Sequence, residues 1–335
     1  MRLFKLLIFI AIFAGLGFWV YSTNFAEPSL ATRPVVEYDL AYDGAGDEPS
    51  LLITMRFPGD QDGSTWVQLP DSWGGQVELY NAISELEVHT VGAELVATET
   101  PSLFDLRHPA GASIEISYRL TDEWDGPPEP FHGNPYRPLI TPDYLHLIGW
   151  ATWALPQWDD WPGDNPEVDF RLDWSGLPAD WSVADNFDLG QDLRLAGSPI
   201  RRLQAGLLVA GDFRVSSADI DGAPVHLAIR NEWSFSDEEF MEALVAVIRS
   251  QRTFWREESL DAFLVTLLPQ HRREGQERAR SNGGTQLYDA FALFSTSNME
   301  LEAFDWLMAH ELQHRWIPHA CRDMGSDWIG SDPCQ

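Results

Sequence analysis

The stretch from Met299 to His314 reads MELEAFDWLMAHELQH and ends in an H-E-x-x-H motif. Apolar residues recur in it at intervals of three and four, which predicts an amphipathic helix. His310 and His314 are four apart, so a helix places both imidazoles on one face. Two neutral imidazoles there can bind one Zn²⁺, and Glu311 between them can act as a general base. We therefore predict His310 and His314 as metal ligands and Glu311 as the catalytic residue.

A capping residue and a helix-breaking proline are expected to flank this predicted helix. Ser297 or Asn298 is expected to cap its N-terminus, and Pro318 is expected to stop it soon after the second histidine. The competing interpretation is an ordinary amphipathic helix that carries a solvated or core-satisfied histidine pair.

Composition places the chain among globular proteins. It has 335 residues, of which 44% are hydrophobic and 15 are tryptophan, so it can form about two domains with a sizeable core. The formal net charge is −30, and no basic patch offsets it. Because nucleic acid is itself anionic, this charge excludes it as a partner.

The N-terminus is typical of an export signal. Arg2 and Lys5 precede an uncharged, mostly apolar run over residues 6–21. We predict a signal peptide or signal anchor in residues 1–26 and an exported protein, periplasmic or extracellular. The cleavage site is ambiguous, so a membrane tether through residues 6–21 is the alternative to cleavage.

Alternating hydrophobicity dominates residues 34–220, which we predict to form an N-terminal β domain. Its strands include Leu51–Phe57, Ser113–Leu120 and Val168–Trp174, separated by glycine- and proline-rich turns. An antiparallel β-sandwich or a large folded-over sheet fits this pattern best. The abundant tryptophans are expected to be core packing, with a carbohydrate-binding surface as the less favoured alternative.

Residues 222–335 show a different order. A strand at Val225–Ile229 precedes a helix that Ser236 caps and that runs to about Trp255, and a second strand covers Ala262–Leu268. A glycine pair, Gly283-Gly284, then opens a strand-like run over Leu287–Phe294. The fold class predicted for the whole chain is α+β, with the first half of a thermolysin-like zinc-peptidase domain after the β domain.

The chain resembles the M61 metallopeptidases, the glycyl-aminopeptidase-like family within the gluzincin group. The segments that carry the resemblance are Leu69–Gly75, Asn81–Val88, Gly283-Gly284 and His310–Trp316. It implies that His310 and His314 bind zinc, that Glu311 is the base, and that Gly283 and Gly284 begin an edge strand that binds the substrate backbone. Gln286 stands where related aminopeptidases carry a Glu that binds the substrate amine, so strict aminopeptidase specificity is not implied.

The resemblance also implies a third ligand, a Glu on a following helix. No Glu follows Glu311 here, and Asp323, Asp327 and Asp332 are the only carboxylates beyond it. His319 fits the spacing of the alternative metzincin motif poorly. We therefore expect that the catalytic domain is incomplete in this chain, which would then bind zinc weakly and cleave peptides poorly or not at all because the third zinc ligand is missing. The alternative is that one of the three aspartates completes the site.

These observations predict an exported zinc-dependent metallopeptidase that hydrolyses peptide bonds. Its cofactor is Zn²⁺, its partner is a peptide or protein substrate, and Gly283, Gly284 and Gln286 are the candidate substrate-binding residues. The alternative function is a non-catalytic binding or scaffold protein that retains the peptidase fold.

Overall fold

A computed structural model describes residues 33–45, 48–122, 136–159, 166–187, 192–257, 262–272, 274–287 and 289–315. In this part of the chain no helix is long and apolar enough to cross a membrane. The predicted export segment, residues 6–21, and the three tail aspartates lie outside the described residues, so both predictions stay open.

Strands make up most of the described chain. In chain order they are β1 Val35–Asp43, β2 Ser50–Pro58, β3 Ser64–Gln68, β4 Ile83–Val88, β5 Glu94–Ala97, β6 Leu103–Arg107, β7 Ser113–Thr121, β8 Leu139–Ile140, β9 Tyr144–Ile148, β10 Leu155–Gln157, β11 Glu167–Ser175, β12 Ser182–Asp185, β13 Asp192–Pro199, β14 Leu207–Gly211, β15 Arg214–Ile220, β16 Ala223–Ile229, β17 Phe263–Pro269, β18 Asn282–Leu287 and β19 Ala290–Ser295.

The helices are α1 Ile200–Gln204, α2 Asp237–Trp255 and α3 Glu302–Gln313, with short 3₁₀ turns at Leu79–Ala82 and Gly149–Ala151. Strands and helices in these proportions confirm the α+β class. The thermolysin-like character of the second half stays a prediction.

Three sheets cover the first part of the chain. Their strand orders are β13-β11-β1-β2-β7-β4, β10-β3-β6-β5 and β12-β14-β9-β8. Residues of β1, β2 and β7 alternate between the core and the outside, as the sequence predicted. The prediction of an antiparallel arrangement is wrong at one pair of this first sheet, because β1 pairs with β11 in parallel. The chain returns to β1 only after more than a hundred residues, and local alternation carries no information about that direction.

The fourth sheet has the order β15-β16-β17-β19-β18 and carries the candidate site. β16 and β17 are parallel, as are β17 and β19, and α2 forms the crossover between β16 and β17. Ser236 and Glu239 form a capping box at the start of α2, which satisfies two backbone N–H groups that the helix itself leaves unpaired.

Asp221 and Gly222 lie in the turn between β15 and β16, both with positive φ (57° and 88°). This turn type matches the twist of a tight hairpin. β15 is therefore a strand of the fourth sheet, although the sequence pattern placed it before the change in periodicity. Whether residues 34–220 and 222–335 behave as separable domains stays a prediction.

Both faces of the fourth sheet are covered. On one face α2 and α3 bury Phe240, Leu244, Phe304 and Met308 against Val265 and other strand residues. On the other face, Leu264 and Phe294 pack against residues of β9 and β14. Because β17 and β19 are covered on both sides, all their residues but the terminal Pro269 are buried.

Two local predictions in this region need correction. The run Leu287–Phe294 is not one strand: β18 and β19 form an antiparallel hairpin in register, with Asp289 in the left-handed region at φ 51°. The helix α3 is not capped by Ser297 or Asn298. Its N-cap residue is Leu301 without a side-chain bond, and the Asn298 side chain instead donates to the carbonyl of Ala279.

Candidate functional site

The H-E-x-x-H motif lies at the C-terminal end of α3. His310 and Glu311 are in the last turn, and His314 is the C-cap residue with helical backbone angles (φ −60°, ψ −18°). Phe304, Leu307, Met308 and Leu312 are buried against the fourth sheet. The hydrophobic periodicity of the sequence therefore fixes the rotation of the helix, and with it the direction of the motif.

The two histidine rings lie close together. Their Nε2 atoms are 3.3 Å apart, and the ring planes are nearly perpendicular at 88°. Burial, and secondarily the neighbouring His310, lower the pKa of His314 below its usual value, which favours the neutral ring that a metal requires. His310 is held on its other side by Trp306, which stacks at 5.1 Å between ring centroids.

The geometry of the pair fits a single metal ion. Two nitrogen ligands of a tetrahedral zinc site stand about 3.3 Å apart, given Zn–N distances near 2.05 Å. The observed separation matches that value, although two imidazoles at this distance can also share one proton. In the described part of the chain no cluster of three or more His, Cys, Asp or Glu side chains could hold a metal. The fit thus covers two ligands, and a third has to come from elsewhere.

Glu311 points away from solvent. Its side chain is buried, and burial raises its pKa to about 7, with a hydrogen bond from the backbone of Gln286 acting in the opposite direction. A carboxyl group with a pKa near neutrality can take up and release protons at physiological pH. This is the behaviour expected of a general base.

The predicted substrate-binding residues all lie on β18, an edge strand of the fourth sheet in the region that the structure describes. Gly283 and Gly284 are inside the strand rather than in a turn or bulge. A Cβ on Gly284 would lie 2.9 Å from the carbonyl oxygen of Ala292 and 3.3 Å from Cγ of Glu311, whereas one on Gly283 would meet nothing within 4 Å. Close approach therefore requires glycine at position 284 but not at 283.

Gln286 is two residues farther along the strand. Its amide nitrogen donates to the carbonyl of Leu287, while Oε1 is buried and accepts no hydrogen bond from the residues that the structure describes. The structure thus brings Gln286, Gly284 and Glu311 into one place.

Tyr136 is a site residue that sequence reasoning missed. Its hydroxyl donates to the carbonyl oxygen of Gly284 at 2.8 Å. Burial, and secondarily the charge of Glu311, raise its pKa above the usual value, so the phenol keeps its proton. Tyr136 is 148 residues from Gly284 in sequence, and no local pattern marks it.

An ion-pair cluster holds the end of α3. Arg315 directly follows His314 and donates to Asp289 and to both carboxylate oxygens of Glu257, at 2.9 to 3.3 Å for the latter. Asp289 is 1% exposed and also lies 3.7 Å from Arg202. The cluster links the motif to the β18–β19 turn and to the residues after α2. The sequence showed Arg315 beside the motif but gave no indication of its partners.

Comparison with known proteins identifies the fold. No family model and no curated protein sequence matches the chain. A crystal structure of an aminopeptidase N family protein from Idiomarina loihiensis is similar at a TM-score of 0.66 and 12% identity, over 84% of this chain and 47% of that one. A crystal structure of an M1 zinc metallopeptidase from Deinococcus radiodurans aligns at a TM-score of 0.46 and 14% identity, over 85% of this chain and 63% of that one.

The Idiomarina structure, at a TM-score of 0.66, is similar enough to establish the fold. At 12% identity the likeness to the Idiomarina protein establishes the fold and no particular family, M61 included. The chain spans about half the length of the Idiomarina protein. Over that span, this chain has the fold of an aminopeptidase N family protein.

Proposed function

We propose that this chain is the zinc-binding part of a gluzincin-type peptidase that hydrolyses peptide bonds, with M61-like features in its motif segments. The observation that carries the proposal is the 3.3 Å separation of the His310 and His314 Nε2 atoms beside the buried carboxyl of Glu311. The fold shared with an aminopeptidase N family protein is consistent with it.

The residues divide the work in the following way. His310 and His314 would hold Zn²⁺, which would polarise a carbonyl group and acidify water. Glu311 would accept the proton that the attacking water gives up and pass it to the leaving amine. The edge strand β18 orients the substrate backbone beside Glu311. We also propose that the protein is exported, with residues 6–21 as signal or tether.

Metal affinity and hydrolysis should be measured together. Purified protein is titrated with Zn²⁺ in competition with a chromogenic chelator, and peptide cleavage is followed by mass spectrometry. A His310→Ala/His314→Ala double variant should lose the metal. Glu311→Gln should keep it but cleave about 10²- to 10⁴-fold more slowly. The control is His271→Ala, because His271 is exposed in a loop before β18.

Two results would contradict the proposal. One is a double variant that binds zinc as tightly as the parent. The other is a parent that cleaves peptides measurably while Glu311→Gln cleaves at the same rate. Alanine variants of Asp323, Asp327 and Asp332 test whether this chain supplies a third ligand, because a site that loses one ligand should bind zinc more weakly.

A further inference from the structure

The outer edge of β18 is occupied by side chains. In an antiparallel ladder successive residues direct their backbone groups to opposite sides. The Gly284 carbonyl accepts from Tyr136, and the backbone of Gln286 interacts with Glu311. Gly284 and Gln286 are two apart, so both direct their backbone groups away from β19. Any peptide that pairs with this edge therefore meets a carbonyl that already has a donor.

Tyr136 is held in place from behind. A Cβ on Gly74 would lie 2.5 Å from Cδ2 of the Tyr136 ring, so the ring packs directly on the backbone at this glycine. The neighbouring Arg137 donates to the carbonyls of Val77 and Glu78, at 2.7 and 3.4 Å. The loop that contains Gly74 thus sets where the phenol can reach.

We propose that in the free protein the Tyr136 hydroxyl donates to the carbonyl oxygen of Gly284, and that a bound substrate displaces this hydroxyl. A backbone N–H of the peptide then donates to the same oxygen. Tyr136 is then a specificity-determining residue: it favours peptides whose N–H at this register compensates for the lost phenol contact. The inference deepens the proposed function and rests on β18 being the substrate strand.

The Tyr136 phenol and a peptide N–H compete for the carbonyl oxygen of Gly284. The phenol and a peptide N–H are both neutral donors, and each hydrogen bond contributes modestly in net terms. Removing the phenol hydroxyl leaves the oxygen available to the peptide without prior displacement. A net hydrogen bond of ordinary strength corresponds to a change in affinity of about 2- to 10-fold.

The test measures peptide affinity without turnover. In the Glu311→Gln background, a fluorescent peptide is titrated against the protein with and without Tyr136→Phe, and its dissociation constant is obtained from anisotropy. A matched series replaces one backbone amide at a time by an ester, which removes one N–H donor. Tyr136→Phe should tighten binding of the all-amide peptide about 2- to 10-fold, and one ester position should abolish that gain.

A second pair of variants separates this effect from general loosening. Gly74→Ala pushes a methyl group into the Tyr136 ring, whereas Gly75→Ala adds one in open space at a similar positive φ (+58° and +79°). Both carry the same kind of backbone strain. Gly74→Ala should therefore tighten peptide binding as Tyr136→Phe does, and Gly75→Ala should not.

The outcomes are distinct. Unchanged or weaker binding in Tyr136→Phe overturns the inference, because the oxygen then serves both donors or the phenol helps to hold the peptide. A gain that no ester position removes also overturns it, as does the absence of peptide binding in every variant. If the gain is seen but the parental protein binds no zinc through His310 and His314, the competition stands and the proposed function fails.

Discussion

Acidification should destabilise the fold through one buried histidine. His146 of β9 is fully buried, and its Nε2 lies 3.1 Å from the hydroxyl oxygen of Thr266 on β17. Its ring and that of Phe294 are nearly perpendicular, at 75°, with 5.3 Å between centroids. These partners belong to the fourth sheet, whereas β9 belongs to the sheet packed against it. A proton on His146 would place an uncompensated charge between the two sheets.

The sign and size follow from the pKa difference. Burial lowers the pKa of His146 to about 3, while in the unfolded chain it is about 6.5. The contribution to stability is complete above pH 6.5, because neither state is then protonated. It falls progressively as the pH drops from 6.5 towards 3, where only the unfolded state gains the proton. pH 5 lies about 1.5 units below the pKa of the unfolded chain, so the free energy of unfolding falls by about 2 kcal/mol there.

Urea unfolding at pH 7 and pH 5 measures this loss, with His146→Gln as the reference. Glutamine keeps a donor near Thr266 and does not titrate. Both proteins should carry Glu311→Gln, because the raised pKa of Glu311 acts in the opposite direction over the same range. The free-energy difference between the pair should shift by about 2 kcal/mol against the histidine protein on acidification. A difference that does not change with pH refutes the reasoning.

Two further predictions concern the walls of the site. Gly284→Ala should cost about 1–3 kcal/mol because its methyl group would lie 2.9 Å from a β19 carbonyl oxygen, and Gly283→Ala, with nothing within 4 Å, should cost far less; equal melting temperatures for the two would contradict this. Asp289→Asn weakens the contact with Arg315 and should loosen the end of α3, which lowers zinc affinity about 10-fold. Asp173→Asn breaks an exposed ion pair and is the control; an equal loss there would rule out a specific effect.

Local patterns predicted the elements whose causes are local. The helix α2 was predictable because the Ser236 and Glu239 capping box precedes a run with one apolar side. The α3 motif was predictable because four-residue spacing alone decides which side chains share a helix face. Strands with one buried face, such as β2 and β7, were found for the same reason.

The errors arose where distant residues decide the structure. The parallel pairing of β1 with β11 joins segments more than a hundred residues apart. The glycine pair Gly283-Gly284 was predicted to open a single strand-like run over Leu287–Phe294. The turn of the β18–β19 hairpin instead interrupts that run, and Asp289 adopts the left-handed conformation there. Aspartate tolerates that region better than most residues, so its sequence signal is weaker than that of glycine. The contact between Tyr136 and Gly284 has no sequence signal at all.

An exposed edge strand is a hazard as well as a binding surface, since its unpaired backbone groups can recruit other strands. At β18, Tyr136 takes the Gly284 carbonyl and Glu311 interacts with the Gln286 backbone. Single side chains are easier to displace than a paired strand, because only one hydrogen bond is lost at a time. The contacts of Tyr136 and Glu311 that protect the edge in the free protein therefore also set the binding free energy that a peptide needs to displace them. Removing the phenol should improve peptide binding and, by the same argument, make the free protein more prone to self-association.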